Sequence, residues 1–165
     1  MTGRLGAVLA VLAACLTFDA AAQTRGGRDA PSAPHYLSLK SDTVHMRVGP
    51  GTQHPIEWVL QRRYMPVRVI AEIEQWRRVV DATGTTGWVH QQTLSSRRYA
   101  MVMGEVRSLR RAAQPDAVAI ARLEPGVIGR LVECAGAWCR MEAGGFRGWI
   151  ARTEIWGADP GETFK

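Results

Sequence analysis

The chain has 165 residues, 46% hydrophobic and 22% charged, with 21 basic residues against 15 acidic ones and a net charge of +6. These ordinary globular proportions exclude a disordered tail and a multispan membrane protein, and the length leaves no room for most two-domain enzymes. Nineteen of the basic residues are Arg, leaving only Lys40 and Lys165, a bias that a GC-rich coding sequence explains as readily as a ligand does.

Arg4 is followed by an apolar run from Leu5 to Leu16, then Phe18 and the small residues Ala20, Ala21 and Ala22. A charged start, an apolar middle and an A-x-A end predict a bacterial secretory signal over 1–22, cleaved after Ala22, in an exported, periplasmic protein. The run is too short for a comfortable membrane span. Leu12-Ala13-Ala14-Cys15 offers a rival reading as a lipobox, with Cys15 as the lipid-anchored first residue. Against it, the residues after Cys15 stay apolar where a lipoprotein usually continues with a polar tether. Residues 23–35 carry Gly26, Gly27, Pro31 and Pro34 among small polar residues and read as a flexible linker.

The rest of the chain repeats. Arg47 recurs as Arg110, Trp76 as Trp138, and Gly87-Trp88-Val89 as Gly148-Trp149-Ile150, at offsets of 63, 62 and 61 residues. Two copies of one fold are expected, at 36–99 and 100–157, with a tail at 158–165. In the first, Val67, Val69, Ala71 and Ile73 alternate with polar residues. A tight connection at Glu74 and Gln75 leads to a strand from Trp76 to Asp81, and Gly84 to Gly87 form a turn before Trp88 and Val89. No window carries a convincing amphipathic helix. Short strands with turns every 8 to 12 residues predict an all-β chain of two tandem small antiparallel barrels.

Val44-His45-Met46-Arg47-Val48-Gly49-Pro50-Gly51 resembles the opening signature of bacterial SH3 domains, and Trp76 with Gly87-Trp88-Val89 falls where that family has its own Trp and Gly-Trp-Val elements. In the second copy Arg110 stays but Ala112, Ala113, Gln114 and Pro115 replace the Gly-Pro-Gly, while Trp138 and Gly148-Trp149-Ile150 keep the pattern. The arrangement is also similar to small exported two-copy SH3-like proteins of alphaproteobacteria. The resemblance implies two SH3-like barrels and a binding module that recognises a cell-wall peptide or a protein, with no catalytic domain left over.

The candidate site residues follow from chemistry. Arg47 offers a planar guanidinium fork to a carboxylate, or else pins its own loop through backbone carbonyls. Gly49 and Gly51 are expected to give turn geometry closed to other residues, with Pro50 stiffening it. Trp76, Trp88, Trp138 and Trp149 are expected to pack in the cores, while Trp58 and Trp156 are freer to meet a ligand or to join the copies. Trp58, Tyr64 and His90 form the preferred groove beside Arg47. Cys134 and Cys139 suit adjacent strands of a hairpin and are expected to form a disulfide in an oxidising compartment. No metal and no cofactor are expected, because no His follows Gln91.

Catalysis is not expected. His35, His45, His54 and His90 have no HExxH spacing, and no GxSxG motif is present. The Arg pairs at 62/63, 77/78, 97/98 and 110/111 suggest phosphate contacts, but export argues against nucleic acid as a partner. The expected function is non-enzymatic recognition of peptidoglycan peptide or an envelope protein. The alternative is an adaptor that docks an envelope enzyme or secretion component without wall affinity.

Overall fold

Short alternating segments bury an apolar face only by pairing with one another. In residues 34–165, the part of the chain that this computed structural model describes, they pair into two seven-stranded antiparallel sheets. The expected signal over 1–22, its cleavage point, Cys15 and the linker up to Ala33 lie outside the described residues.

The first sheet contains β1 (His35–Leu39), β2 (Val44–Arg47), β3 (Ile56–Leu60), β4 (Pro66–Ile73), β5 (Trp76–Val80), β6 (Thr86–His90) and β7 (Leu94–Ser95). The second contains β8 (Tyr99–Val102), β9 (Arg107–Arg110), β10 (Ala119–Leu123), β11 (Ile128–Ala135), β12 (Trp138–Ala143), β13 (Phe146–Ala151) and β14 (Ile155–Trp156). The strand orders are β3-β2-β6-β5-β4-β1-β7 and β10-β9-β13-β12-β11-β8-β14. One order is the other shifted by seven strands, so the sequence repeat is a repeat of topology, and the expected all-β pair of tandem domains is what the chain forms. His35, the last residue of the expected linker, already belongs to β1.

Each sheet closes on its own core. Leu39, Val44, Met46, Val67, Val69 and Val79 are among those that fill the first, and Leu109, Leu131, Met141 and Ile150 are prominent in the second. The four repeated tryptophans are in neither core, contrary to expectation. Register is the reason: Trp88 stands between the inward Gly87 and Val89, and Trp149 between the inward Gly148 and Ile150, so the two-residue period turns both indoles outward. Trp76 and Trp138 are likewise half-buried at strand starts. The Gly-Trp-apolar triplet contributes its apolar residue and its glycine to the interior. A Cβ on Gly87 would lie 2.4 Å from Cγ of Met46, and one on Gly148 2.6 Å from the Arg110 carbonyl oxygen. Space also governs Gly49, whose backbone is not left-handed. There a Cβ would meet the His54 ring at 2.7 Å.

The second copy carries fastenings of its own. Cys134 and Cys139 face each other across the β11–β12 hairpin and form the expected disulfide, both fully buried. The backbone of Cys134 also pairs with Phe164, which lays the C-terminal segment against this sheet. Arg152, only 7% exposed, fixes that segment by donating to the carbonyls of Gly136 (3.0 Å), Asp159 (2.6 Å) and Glu162 (2.7 Å).

The two copies meet through aromatic and ionic contacts. Trp156 packs edge-on against Tyr36 with ring centroids 5.2 Å apart, and its indole N–H donates to the Pro66 carbonyl at 3.3 Å. Arg68 bonds Asp159 at 2.9 Å, and Arg62 donates to the Gly126 carbonyl at 2.6 Å. Burial, with the charge of Asp159, pushes the Tyr36 hydroxyl up to about 12.

Candidate functional site

In β2 the residues Val44 and Met46 point into the core, so His45 and Arg47 stand on the outer face. Antiparallel pairing sets Arg47 opposite Trp88, and Trp76 opposite His90 at the far end of β6. These strands and the loop after β2 enclose a cavity of about 220 Å³ lined by Thr43, His45, Arg47, Thr52, Trp76, His90 and Thr93.

Its walls are held from behind. Nη1 of Arg47 donates to the carbonyls of Thr52 (3.2 Å) and His54 (2.6 Å), so the guanidinium pins its own loop. The Nε and Nη2 edge donates to no described residue. His90 meets Trp76 edge-on with ring centroids 5.4 Å apart. Nδ1 of His90 accepts the Gln92 backbone N–H at 3.3 Å, and its carbonyl accepts the Thr93 hydroxyl at 2.7 Å, which fixes the imidazole on the 3-10 turn Gln91–Thr93. An indole wall, two imidazoles, a guanidinium edge and three threonine hydroxyls suit a small polar group bearing a carboxylate.

The four ligand-binding candidates read from sequence do not all converge here. Arg47 and His90 line this cavity. Trp58 lies on β3, opposite Met46 at the sheet edge, and is 52% exposed. Tyr64 is at the joint between copies, where its ring stacks on Tyr99 with centroids 4.5 Å apart and planes 12° from parallel. The turn that carries it has a left-handed backbone at Tyr64, φ 66°, which costs a non-glycine residue about 1 to 3 kcal/mol. Thr43, His45, Thr52, Trp76 and Thr93 are lining residues that sequence reasoning missed. The alternation Thr43-x-His45-x-Arg47 was the available signal, because a period of two places all three on one face. Among the described residues, no three His, Cys, Asp or Glu side chains are grouped to hold a metal ion.

The second copy keeps the frame and loses the lining. Arg110 donates to the carbonyl of Ala117 at 2.8 Å, seven residues on, as Arg47 does to His54, and it stands opposite Trp149. In the same register, Val106, Ser108, Ala151 and Glu154 occupy the places of Thr43, His45, His90 and Thr93.

Comparison with known proteins bears on this frame. No curated protein matches the chain. Among solved structures it is similar to NlpC2 of Trichomonas vaginalis, at 10% identity and a TM-score of 0.36, over 76% of this chain and 49% of that one. It is similar to NlpC1 of the same organism at 10% identity and a TM-score of 0.35, over 76% and 46%. The chain thus spans about half the length of each. The bacterial SH3 domain family matches residues 40–96 and again residues 104–157. With both sheets covered by that family and the Arg clamp present in each, the chain belongs to the bacterial SH3 domain family, in two tandem copies.

Proposed function

We propose that the protein is an exported, non-enzymatic binding module of the cell envelope that takes peptidoglycan peptide in the first-copy cavity. The observation that carries this reading is the 220 Å³ cavity, in which an Arg47 edge and two imidazoles face a Trp76 wall. A stem peptide presents free carboxylates on a short, small-residue backbone, which the guanidinium fork and the threonine hydroxyls match. Membership in a family of binding domains supports a role without catalysis, and the leader expected from the sequence over 1–22 supports export.

The test is co-sedimentation of the protein with purified sacculi across a salt series, beside a His45→Ser/His90→Ala variant. Those substitutions install the second copy's own residues at exposed and half-buried outer positions, so the fold is expected to survive them. Saturable, salt-resistant pelleting that the variant loses is expected. Pelleting abolished by modest salt, or equal in both proteins, contradicts the reading.

One observation favours a second reading, the adaptor. Ile56, Trp58 and Val59 on the edge strand β3 are 43%, 52% and 46% exposed. An exposed apolar edge accepts an extended segment of another envelope protein by strand addition. Under this reading, Trp58→Ala removes a stoichiometric protein partner while sacculus binding is absent from the start.

A further inference from the structure

Among the described residues, most arginines are engaged. Seven are ion-paired, and Arg47, Arg62, Arg110 and Arg152 donate to backbone carbonyls. Of the described cationic side chains with no ion pair and no hydrogen bond, three line one cavity: Lys40, Arg63 and Arg97. Tyr64 and Ser95 complete it, the volume is about 230 Å³, and no carboxylate is among the lining residues.

Three like charges around one space repel each other, and only Arg63 has an offsetting contact, over the Tyr64 ring. The neutral members are arranged as donors. The Ser95 hydroxyl oxygen accepts the Arg97 backbone N–H at 3.2 Å, which leaves its own hydrogen to donate, and the Tyr64 hydroxyl bonds no described residue. The Tyr64 ring stacks on Tyr99, and the Arg63 guanidinium carbon lies 5.1 Å from its centroid.

The repeat shows that the fold does not require this group. Matching backbone bonds set Lys40 against Met103 and Tyr64 against Gly126, hence Arg63 against Pro125, while strand pairing sets Ser95 against Trp156. Every polar group with a counterpart in that register is an uncharged, different residue in the second copy. Tyr64 also keeps the left-handed backbone, φ 66°, that the second copy gives to Gly126 at φ 82°. A tyrosine retained in a glycine's conformation signals that its ring and hydroxyl are used.

We propose that this cavity binds a phosphomonoester or diphosphate group. Two guanidinium forks and an ammonium match the several oxygens and near-double charge of such a group, where a carboxylate has two oxygens and a single charge. The site is separate from the first-copy cavity and does not depend on the wall reading.

The experiment is calorimetric titration of the full chain with inorganic pyrophosphate at low and near-physiological salt. It compares the parent with Lys40→Gln/Arg97→Gln and with Arg111→Gln/Arg122→Gln. The side chains of all four residues make no bond in the structure, so both double variants keep the fold, and both lower the charge equally. Saturable binding is expected, weakened about tenfold or more by the first pair and less than about twofold by the second. Equal weakening by both pairs, or no saturable binding up to millimolar pyrophosphate, overturns the proposal. Vesicles of phosphatidic acid, against phosphatidylcholine, identify the source. Pelleting that only Lys40→Gln/Arg97→Gln abolishes supports the site with a lipid headgroup as its ligand. Pyrophosphate binding without pelleting supports it with a soluble phosphate.

Discussion

The two copies share a frame and differ in what they do with its outer face. Arg47 and Arg110 each clamp the carbonyl seven residues on and stand opposite the outward Trp of the Gly-Trp-apolar strand. The second copy manages this without Gly-Pro-Gly, so the clamp and the glycine that lets two strands approach define the fold, and the loop sequence is free to vary. From there the copies diverge. The first puts histidines and threonines around a cavity, while the second puts a disulfide under its hairpin and Arg152 under its C-terminal segment. The first copy devotes its outer face to a lined cavity, and the second devotes its side chains to fastening itself.

The largest effect expected from breaking this comparison is at the 3-10 turns. Arg152 and Gln91 occupy the same place, their N–H groups bonding the carbonyls of Ala137 and Gln75. Arg152→Ala leaves three carbonyls without their charged donor and is expected to lower unfolding free energy by about 3 kcal/mol. Gln91→Ala is expected to cost about 1 kcal/mol, since it removes one bond from Arg77, which keeps its Glu72 ion pair, and one exposed bond to Gln75. Urea unfolding of both variants checks the contrast, and equal losses would remove it. A smaller loss, about 2 kcal/mol, is expected for Cys134→Ala/Cys139→Ala, because the closed loop is short. Amide exchange is expected to place it in β11 and β12, leaving Val79 and Val89 of the first core protected.

The smallest effect is with pH. Burial raises the Glu162 carboxyl, but the Arg98 hydrogen bonds, the Asp159 N–H and the charges of Arg98 and Arg152 outweigh it and hold the group below its ordinary value of 4.5. A carboxyl lowered by folding adds stability above its unfolded value, and that stability is lost as pH falls from there through the folded one. Exchange at the Phe164 amide, corrected for intrinsic rates, is therefore expected to accelerate below about pH 4.5, and Glu162→Gln is expected to flatten that limb.

Much of the frame was legible because strand alternation, turn glycines and the recurrence of Arg47, Trp76 and Gly87 are local signals. The disulfide was legible for the same reason, as a hairpin brings Cys134 and Cys139 together without help from the rest of the chain. The cavity was legible only in part. Arg47 and His90 stand out by chemistry, but whether Trp76 or Trp58 lies beside them depends on which face of each strand is inward, and the size of an indole suggested core where the two-residue period dictates surface. Tyr64 was misplaced because one left-handed residue redirects the chain, and nothing in a Tyr announces a backbone that glycine usually supplies. The joint was illegible, since Tyr36 with Trp156 and Arg68 with Asp159 join residues about ninety or more apart in sequence.

The central claim is that recognition belongs to the first copy, and amide chemical-shift mapping during titration with soluble muropeptides tests it most directly. The account predicts saturable shifts at His45, Arg47, Trp76, His90 and Thr93, with their counterparts Ser108, Arg110, Trp138, Ala151 and Glu154 unmoved. Shifts centred on the second set, or spread evenly over exposed arginines of both copies, would contradict it.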